Sequence, residues 1–175
     1  MRNLILRPSS WLFLIPSLVL MGASAQAAMF LCTGPETTTY SPGLTDTPRT
    51  VDFAANSTLT ACPVALFSGN ILPKKISNVG RYVASCALDN PGAPVSTRIE
   101  WSDGSLGITQ GQTISNTKTN GQLVILLNEK IISGHFKGQS IIRTITSVQL
   151  NPLACQSPEG VTQVDGLSTF VMLGN

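Results

Sequence analysis

His135 is the only histidine of the chain, so catalysis that needs an imidazole would depend on it. A serine hydrolase would combine it with Ser133 or Ser140 as the nucleophile and with an acid such as Asp165. The nucleophile-elbow pattern G-x-S-x-G does not occur in the sequence. His135 stands beside Phe136 on an alternating segment, so its ring points outward if Phe136 points inward. We predict an exposed strand-edge histidine, and we assign no catalytic residue.

Three carboxylates, Glu100, Asp103 and Glu129, are further candidates for catalytic residues. Glu100 and Asp103 are three residues apart, but Asp103 precedes a glycine and is typical of a turn. Glu129 and Lys130 are neighbours in a predicted strand, so they point to opposite faces and are interpreted as rim charges. A glycosidase needs two carboxyl groups facing across a cleft, which this spacing does not show. Asp89–Gly92 offers two calcium-type ligands and favours a turn.

Cofactor motifs are missing from the sequence. It contains no P-loop, no dinucleotide fingerprint and no haem-attachment motif. We therefore predict no cofactor and no metal site.

Four cysteines, Cys32, Cys62, Cys86 and Cys155, carry the strongest chemical signal. An even number in an exported chain predicts disulfides. Three pairings are possible. We favour Cys32–Cys62 with Cys86–Cys155, because neighbouring strands often follow one another in sequence. Zinc binding is the alternative, although no two cysteines have C-x₂₋₄-C spacing.

The N-terminus predicts export. Arg2 and Arg7 precede an apolar run over Trp11–Gly22, and small residues follow. This pattern predicts a signal peptide over residues 1–27 and a single domain over residues 28–175. The run is shorter than the roughly 20 residues of a spanning helix, so we expect no membrane span after its removal. An uncleaved anchor is the alternative. The protein is expected to be secreted or periplasmic.

Charge and composition narrow the class of partner. The chain has 11 basic and 9 acidic residues, and two of the basic ones leave with the signal peptide. No basic stripe remains to follow phosphates, which argues against nucleic acid. Hydrophobic residues make up 42% of the chain and charged ones 11%. This mixture, with many threonines, is typical of an extracellular β-protein.

Turn signals recur about every ten residues and predict short strands. Asp103-Gly104 is interpreted as a two-residue type I′ loop that places Trp101 opposite Leu106. We predict eight to ten short strands in an all-β antiparallel sandwich or flattened barrel.

A second hairpin is predicted at Asn120-Gly121. Its loop would pair Thr119 with Gln122 and bring Ile114 opposite Leu127. The apolar segment that follows the loop is typical of a central strand.

The stretch "TTTYSPGLTDTPRT" (37–50) is dense in turn residues. Pro42 and Gly43 fit the two central positions of a type II turn, in which Gly43 would have a positive φ. Leu44 is expected to tuck inward. The stretch is interpreted as strand, turn, strand. The alternative is a small recessed surface flanked by Tyr40 and Arg49.

This stretch, together with "IEWSDGS", "SGHFKGQSIIRTIT" and "LNPLACQSPEGVT", resembles an uncharacterised family of small exported bacterial β-proteins, best known among actinobacterial secretomes. The likeness covers most of the chain after the signal peptide, in the same order. It implies export, four cysteines and an all-β domain, and it implies no activity. The segment Gly69–Val83 departs from the group by being more basic.

Two classes of function follow. The first is a non-catalytic exported domain, either structural or binding an unknown extracellular or periplasmic protein or glycan. The second is a small secreted hydrolase with a cryptic site. An inhibitor of a secreted hydrolase and a subunit of a surface fibre are further alternatives.

Overall fold

The computed structural model describes residues 29–66, 70–86, 92–119, 122–147 and 150–173. The predicted signal peptide lies outside these ranges. None of the helices described is long and apolar enough to cross a membrane. The elements are β1 (Met29–Leu44), β2 (Arg49–Thr58), β3 (Ala61–Leu66), β4 (Pro73–Ala84), β5 (Pro94–Trp101), β6 (Leu106–Thr119), β7 (Gln122–Ser133), β8 (Ser140–Ser147), the short helix α1 (Pro152–Gln156) and β9 (Val161–Leu173).

Eight of the strands form a closed antiparallel barrel. The order of neighbours is β2-β4-β5-β6-β7-β8-β9-β1, and β1 then pairs with β2 to close the ring. The remaining strand, β3, pairs with the start of β1 from Met29 to Thr33, whereas β2 pairs with β1 from Glu36 to Ser41. The predicted all-β class and its number of strands are confirmed, with the barrel as the form.

The interior of the barrel is layered. One apolar cluster includes Phe30, Trp101 and Met172, and the other includes Val51 and Val161. Alternation along each strand turns every second side chain inward, which puts these residues on one surface. Both clusters draw on several strands, so each closes one part of the interior.

Polar side chains separate the two apolar clusters. On β1, Glu36 stands between Cys32 of one cluster and Tyr40 of the other, and on β4 Asn78 stands between Ile76 and Ala84. In the part of the chain that the structure describes, the buried polar residues are Glu36, Ser57, Asn78, Ser85, Thr97, Thr109, Thr113, Glu129, Arg143, Ser147 and Ser168. A polar layer at this depth costs free energy unless its groups are hydrogen-bonded, so it needs a specific arrangement.

Both predicted disulfides are confirmed. Cys32–Cys62 joins β1 to β3, with the Cα atoms 4.0 Å apart, and Cys86–Cys155 joins the end of β4 to α1, with the Cα atoms 6.0 Å apart. The described residues hold no free cysteine. The first bridge fastens the strand that lies outside the ring, and the second fastens the only helix described.

The β5–β6 hairpin forms at Asp103-Gly104, but its predicted register is wrong by one residue. Glu100 pairs with Leu106, and the amide of Trp101 donates to the carbonyl of Ser105. Of the two loop residues, Gly104 alone has a positive φ, 82°, which fits a three-residue loop rather than type I′. Trp101 is therefore fully buried and Leu106 is exposed on the other face.

The second predicted hairpin is partly confirmed. Thr119 pairs with Gln122, whereas the loop residues Asn120 and Gly121 lie outside the described part of the chain. Leu127 pairs with Thr113 instead of Ile114, because a bulge shifts the register between Thr113 and Ser115. Ile114 is consequently exposed.

The predicted type II turn at Pro42-Gly43 is wrong. Strand β1 runs through both residues to Leu44, and the Ser41–Pro42 peptide is cis. Gly43 has no positive φ; instead, a Cβ there would lie 2.5 Å from the carbonyl oxygen of Glu159. The chain turns after Leu44, which is buried as expected.

Candidate functional site

A slot opens the barrel wall between β4 and β5. These strands pair only from Pro73–Trp101 to Ser77–Arg98 within the described chain. Beyond that point β4 continues to Ala84 while β5 runs back to Pro94, and their facing edges carry no mutual hydrogen bonds among the described pairs. Strand edges without a pairing partner present backbone groups that solvent or a ligand can contact.

A cavity of about 190 Å³ lies behind the slot. It is lined by both edges of the slot, with Val79–Tyr82 of β4 on one side and Ala93 and the first residues of β5, Pro94–Ser96, on the other. Its inner wall comes from the opposite side of the barrel, with Ile125 and Leu127 of β7 and Ile145 of β8. The slot is therefore the mouth of the cavity.

Aromatic side chains form the wall near β2 and β4. Phe53 packs edge-to-face on Tyr82, with ring centroids 5.2 Å apart. A Cβ on Gly80 would lie 2.5 Å from the Phe53 ring, so this glycine lets the ring lie flat against the strand. The site thus offers the apolar surface that is usual for small-molecule pockets.

Arg143 places a cation in the cavity wall. Its side chain is 1% exposed, and its Nη2 donates to Oδ1 of Asn78 at 3.2 Å. Nε and Nη1 have no hydrogen-bond partner in the described residues, and no described carboxylate lies within ion-pair distance. Leaving N–H donors of a buried guanidinium without hydrogen-bond partners costs free energy.

Glu36 lines the same cavity, and only one of its two carboxylate oxygens accepts a hydrogen bond from the described residues. It is 3% exposed, and its Oε2 accepts from the Ser57 hydroxyl at 2.5 Å. Its Oε1 has no hydrogen-bond partner in the described chain. The cavity therefore presents an unpartnered cationic donor and an unpartnered carboxylate oxygen.

Two tyrosines, Tyr40 and Tyr82, line the same cavity. Burial raises the pKa of Tyr40, and the neighbouring Tyr82 hydroxyl and the Glu36 charge add to that effect. Burial also raises the pKa of Tyr82. Both phenols therefore stay neutral at physiological pH and can donate or accept hydrogen bonds at the cavity.

Glu129, predicted as a rim charge, is instead buried inside the barrel. It is 3% exposed, and its Oε1 accepts from the hydroxyls of Thr97 at 2.5 Å and Thr109 at 2.7 Å. Strand β7 alternates buried and exposed residues from Leu127 to Ile132, and Glu129 lies on the buried, inward face. Glu129 does not line the cavity.

His135 lies in the turn between β7 and β8, so the predicted strand-edge position is wrong. Its Nε2 lies 2.9 Å from Oδ2 of Asp103, whose Oδ1 accepts from the Ser105 hydroxyl at 2.7 Å. A catalytic triad places the histidine between serine and acid, whereas here the acid stands in the middle. Asp165 bonds Thr37 and Gln163 instead of His135.

One cluster of potential metal-ligand atoms occurs in the described residues, at Asp46, Cys86 and Cys155. Both sulfurs belong to one disulfide, so neither can supply the thiolate that a metal would bind. We assign no metal to it.

No family model, curated protein or solved structure matches this chain. The resemblance to small exported bacterial β-proteins stays a prediction.

The sequence analysis missed Arg143 and Glu36. A signal existed for the arginine, because Arg143 alternates with Ile141 and Ile145, both of which are buried. The opposite face of β8 also carries an apolar residue, Ile142. The alternation of residues along β8 therefore did not show which face points into the barrel. Glu36 had no comparable signal, since threonines and a proline surround it.

Proposed function

We propose that this protein is an exported, non-catalytic binding protein that takes one small organic molecule into its barrel through the slot between β4 and β5. The observation that carries this proposal is the cavity itself, about 190 Å³ behind a gap in the wall, with Arg143 buried in its lining. Eight strands are the number at which a barrel is either filled by side chains or holds one small ligand.

The volume limits the ligand to about one ring. An engineered protein cavity of about 150 Å³ binds benzene, so this cavity accepts a six-membered ring with a small substituent. The wall of Phe53, Val95, Ile125, Leu127 and Ile145 suits such a body. A glycan or a peptide would exceed the space.

Two further features support the proposal. Both disulfides favour an oxidising compartment, which agrees with the predicted signal peptide. The single histidine has no serine positioned for activation among its described contacts, which favours binding over hydrolysis.

The test is a titration of the mature protein with one-ring probes, namely phenol, benzyl alcohol, benzoate and 4-hydroxybenzoate, followed by amide chemical shifts and calorimetry. We expect 1:1 binding by at least one probe, with shifts centred on β4, β7 and β8. Ile125→Phe fills the cavity and should abolish binding. Ile132→Phe changes an exposed residue of the same strand and should leave it intact.

Absence of binding by all four probes and by L-leucine at millimolar concentration would refute the proposal. Equal binding by the Ile125→Phe and wild-type proteins would refute it as well, because the probe would then lie elsewhere.

A further inference from the structure

We propose that the ligand is a small organic acid that carries a hydrogen-bond donor besides its carboxylate, with Arg143 binding the carboxylate and Glu36 accepting from the donor. This inference rests on the proposed function and names the class of ligand that the cavity selects. Its basis is the pair of unpartnered buried groups that line one cavity.

The charge balance of the cavity supports a ligand of mixed polarity. Three charged side chains line it, Glu36, Arg81 and Arg143. Arg81 is exposed and already bonds Asp52 with two hydrogen bonds, of 2.6 and 2.9 Å. The buried part of the cavity lining therefore holds one cation, Arg143, and one carboxylate, Glu36. A ligand with only an anionic group would pair with Arg143 and leave Oε1 of Glu36 without a hydrogen-bond donor.

Arg143 is oriented before the ligand arrives. Its hydrogen bond to Asn78, which is 7% exposed, ties β8 to β4 across the interior. That contact uses one of the five guanidinium N–H groups and leaves Nε and Nη1 free. A carboxylate accepts two parallel hydrogen bonds from a guanidinium, and here the second N–H of Nη2 together with the N–H of Nε or of Nη1 can supply them.

Glu36 is oriented in the same manner. The short hydrogen bond from Ser57 fixes one carboxylate oxygen and leaves Oε1 without a partner in the described chain. A hydroxyl or ammonium group of the ligand would satisfy it. Hydroxy acids and amino acids with a body of about one ring share this chemistry.

The experiment measures dissociation constants for five probes of similar size. 4-Hydroxybenzoate and L-leucine carry both groups, benzoate carries the carboxylate alone, and 4-hydroxybenzamide and phenol are neutral. We expect at least one of the first two to bind about tenfold or more tightly than the other three, because an unmatched buried polar group costs about 1–3 kcal/mol. Which of the two binds distinguishes a hydroxy acid from an amino acid.

Two variants locate the contacts. Arg143→Met should weaken the acids about tenfold or more and spare phenol. Glu36→Gln should reduce the advantage of the preferred donor-bearing acid over benzoate. The matched controls are Arg98→Met, an exposed arginine, and Glu129→Gln, a buried carboxylate outside the cavity. Both should keep the wild-type order of probes.

The outcomes separate this inference from the proposed function. If phenol or 4-hydroxybenzamide binds as tightly as the acids, the class of ligand is wrong and the binding function stands. If benzoate equals both donor-bearing acids, the role of Glu36 is wrong. If no probe binds, both proposals fail. Should Arg143→Met not fold, the wild-type panel and Glu36→Gln decide.

Discussion

At the scale of single residues, Arg49 holds two backbone segments together. An arginine in a polar loop is expected to be a nearly neutral surface charge. Here its Nε donates to the carbonyl of Gly43 at 2.8 Å, and its Nη2 donates to the same carbonyl and to that of Glu159 at 3.2 Å. It therefore links the end of β1 to the segment that precedes β9.

Arg49→Ala should lower the free energy of unfolding by about 1.5–3 kcal/mol, because carbonyls bonded to a charged donor lose their partner. Urea denaturation measures the change. Arg98→Ala, at an exposed position, should stay within about 0.5 kcal/mol. Equal stabilities for the two variants would contradict the linking role of Arg49.

Asp103 predicts a pH dependence. The Ser105 hydroxyl, the Ser105 amide and His135 together lower its pKa to about 2, below the roughly 3.9 of an unfolded aspartate. Since the folded value is the lower one, this stabilisation is present above about pH 4 and is lost as the pH falls toward 2.

Thermal melts between pH 5 and 2 measure this effect. Asp103→Asn should lose less stability over that range than the wild type, because its side chain does not titrate. The loss of stability for Ser105→Ala should lie between those of the other two proteins, because this variant removes the hydroxyl that contributes most to the lowered pKa of Asp103. If the melting temperatures of all three proteins fell equally between pH 5 and 2, Asp103 would not be the source of this pH dependence.

At the scale of elements, Gly43 and Gly104 contrast two uses of glycine. Gly43 lies in β1 where a side chain would meet backbone, and Gly104 lies in an open loop with a φ of 82°. Asparagine tolerates positive φ but needs space.

Gly104→Asn should therefore remain within about 0.5 kcal/mol of the wild type. Gly43→Asn should cost about 1–3 kcal/mol through overpacking. The free energy of unfolding in urea decides between the two expectations. A neutral Gly43→Asn would instead favour the type II turn that the sequence suggested.

At the scale of the whole molecule, the disulfides differ in the loops they close. Cys86–Cys155 spans 69 residues and Cys32–Cys62 spans 30. Chain entropy predicts that losing the longer loop costs about 0.7 kcal/mol more. Double serine variants of each pair, compared by urea denaturation, measure this difference. A larger loss from the 32–62 pair would show that native packing outweighs loop length.

Much of the fold was readable in the sequence, but exact pairing was not. Alternation placed Thr97, Ile99 and Trp101 on one face, and all three are buried. The register of the same hairpin was wrong by one residue, because Asp103-Gly104 occurs in two-residue and three-residue loops alike. No glycine or proline occurs at the bulge between Thr113 and Ser115, so the sequence did not indicate it.

The sequence by itself determined the all-β class and the inward faces of several strands, and it favoured the pairing of cysteines that the structure confirms. These features depend on the period of two and on short-range order. The cavity was decided only by the tertiary structure. Closing β1 on β2 carries Glu36 into an interior that also holds Arg143 of β8, and the early end of pairing between β4 and β5 opens that interior. Such contacts join residues distant in sequence, and no local pattern specifies which strands will share an interior.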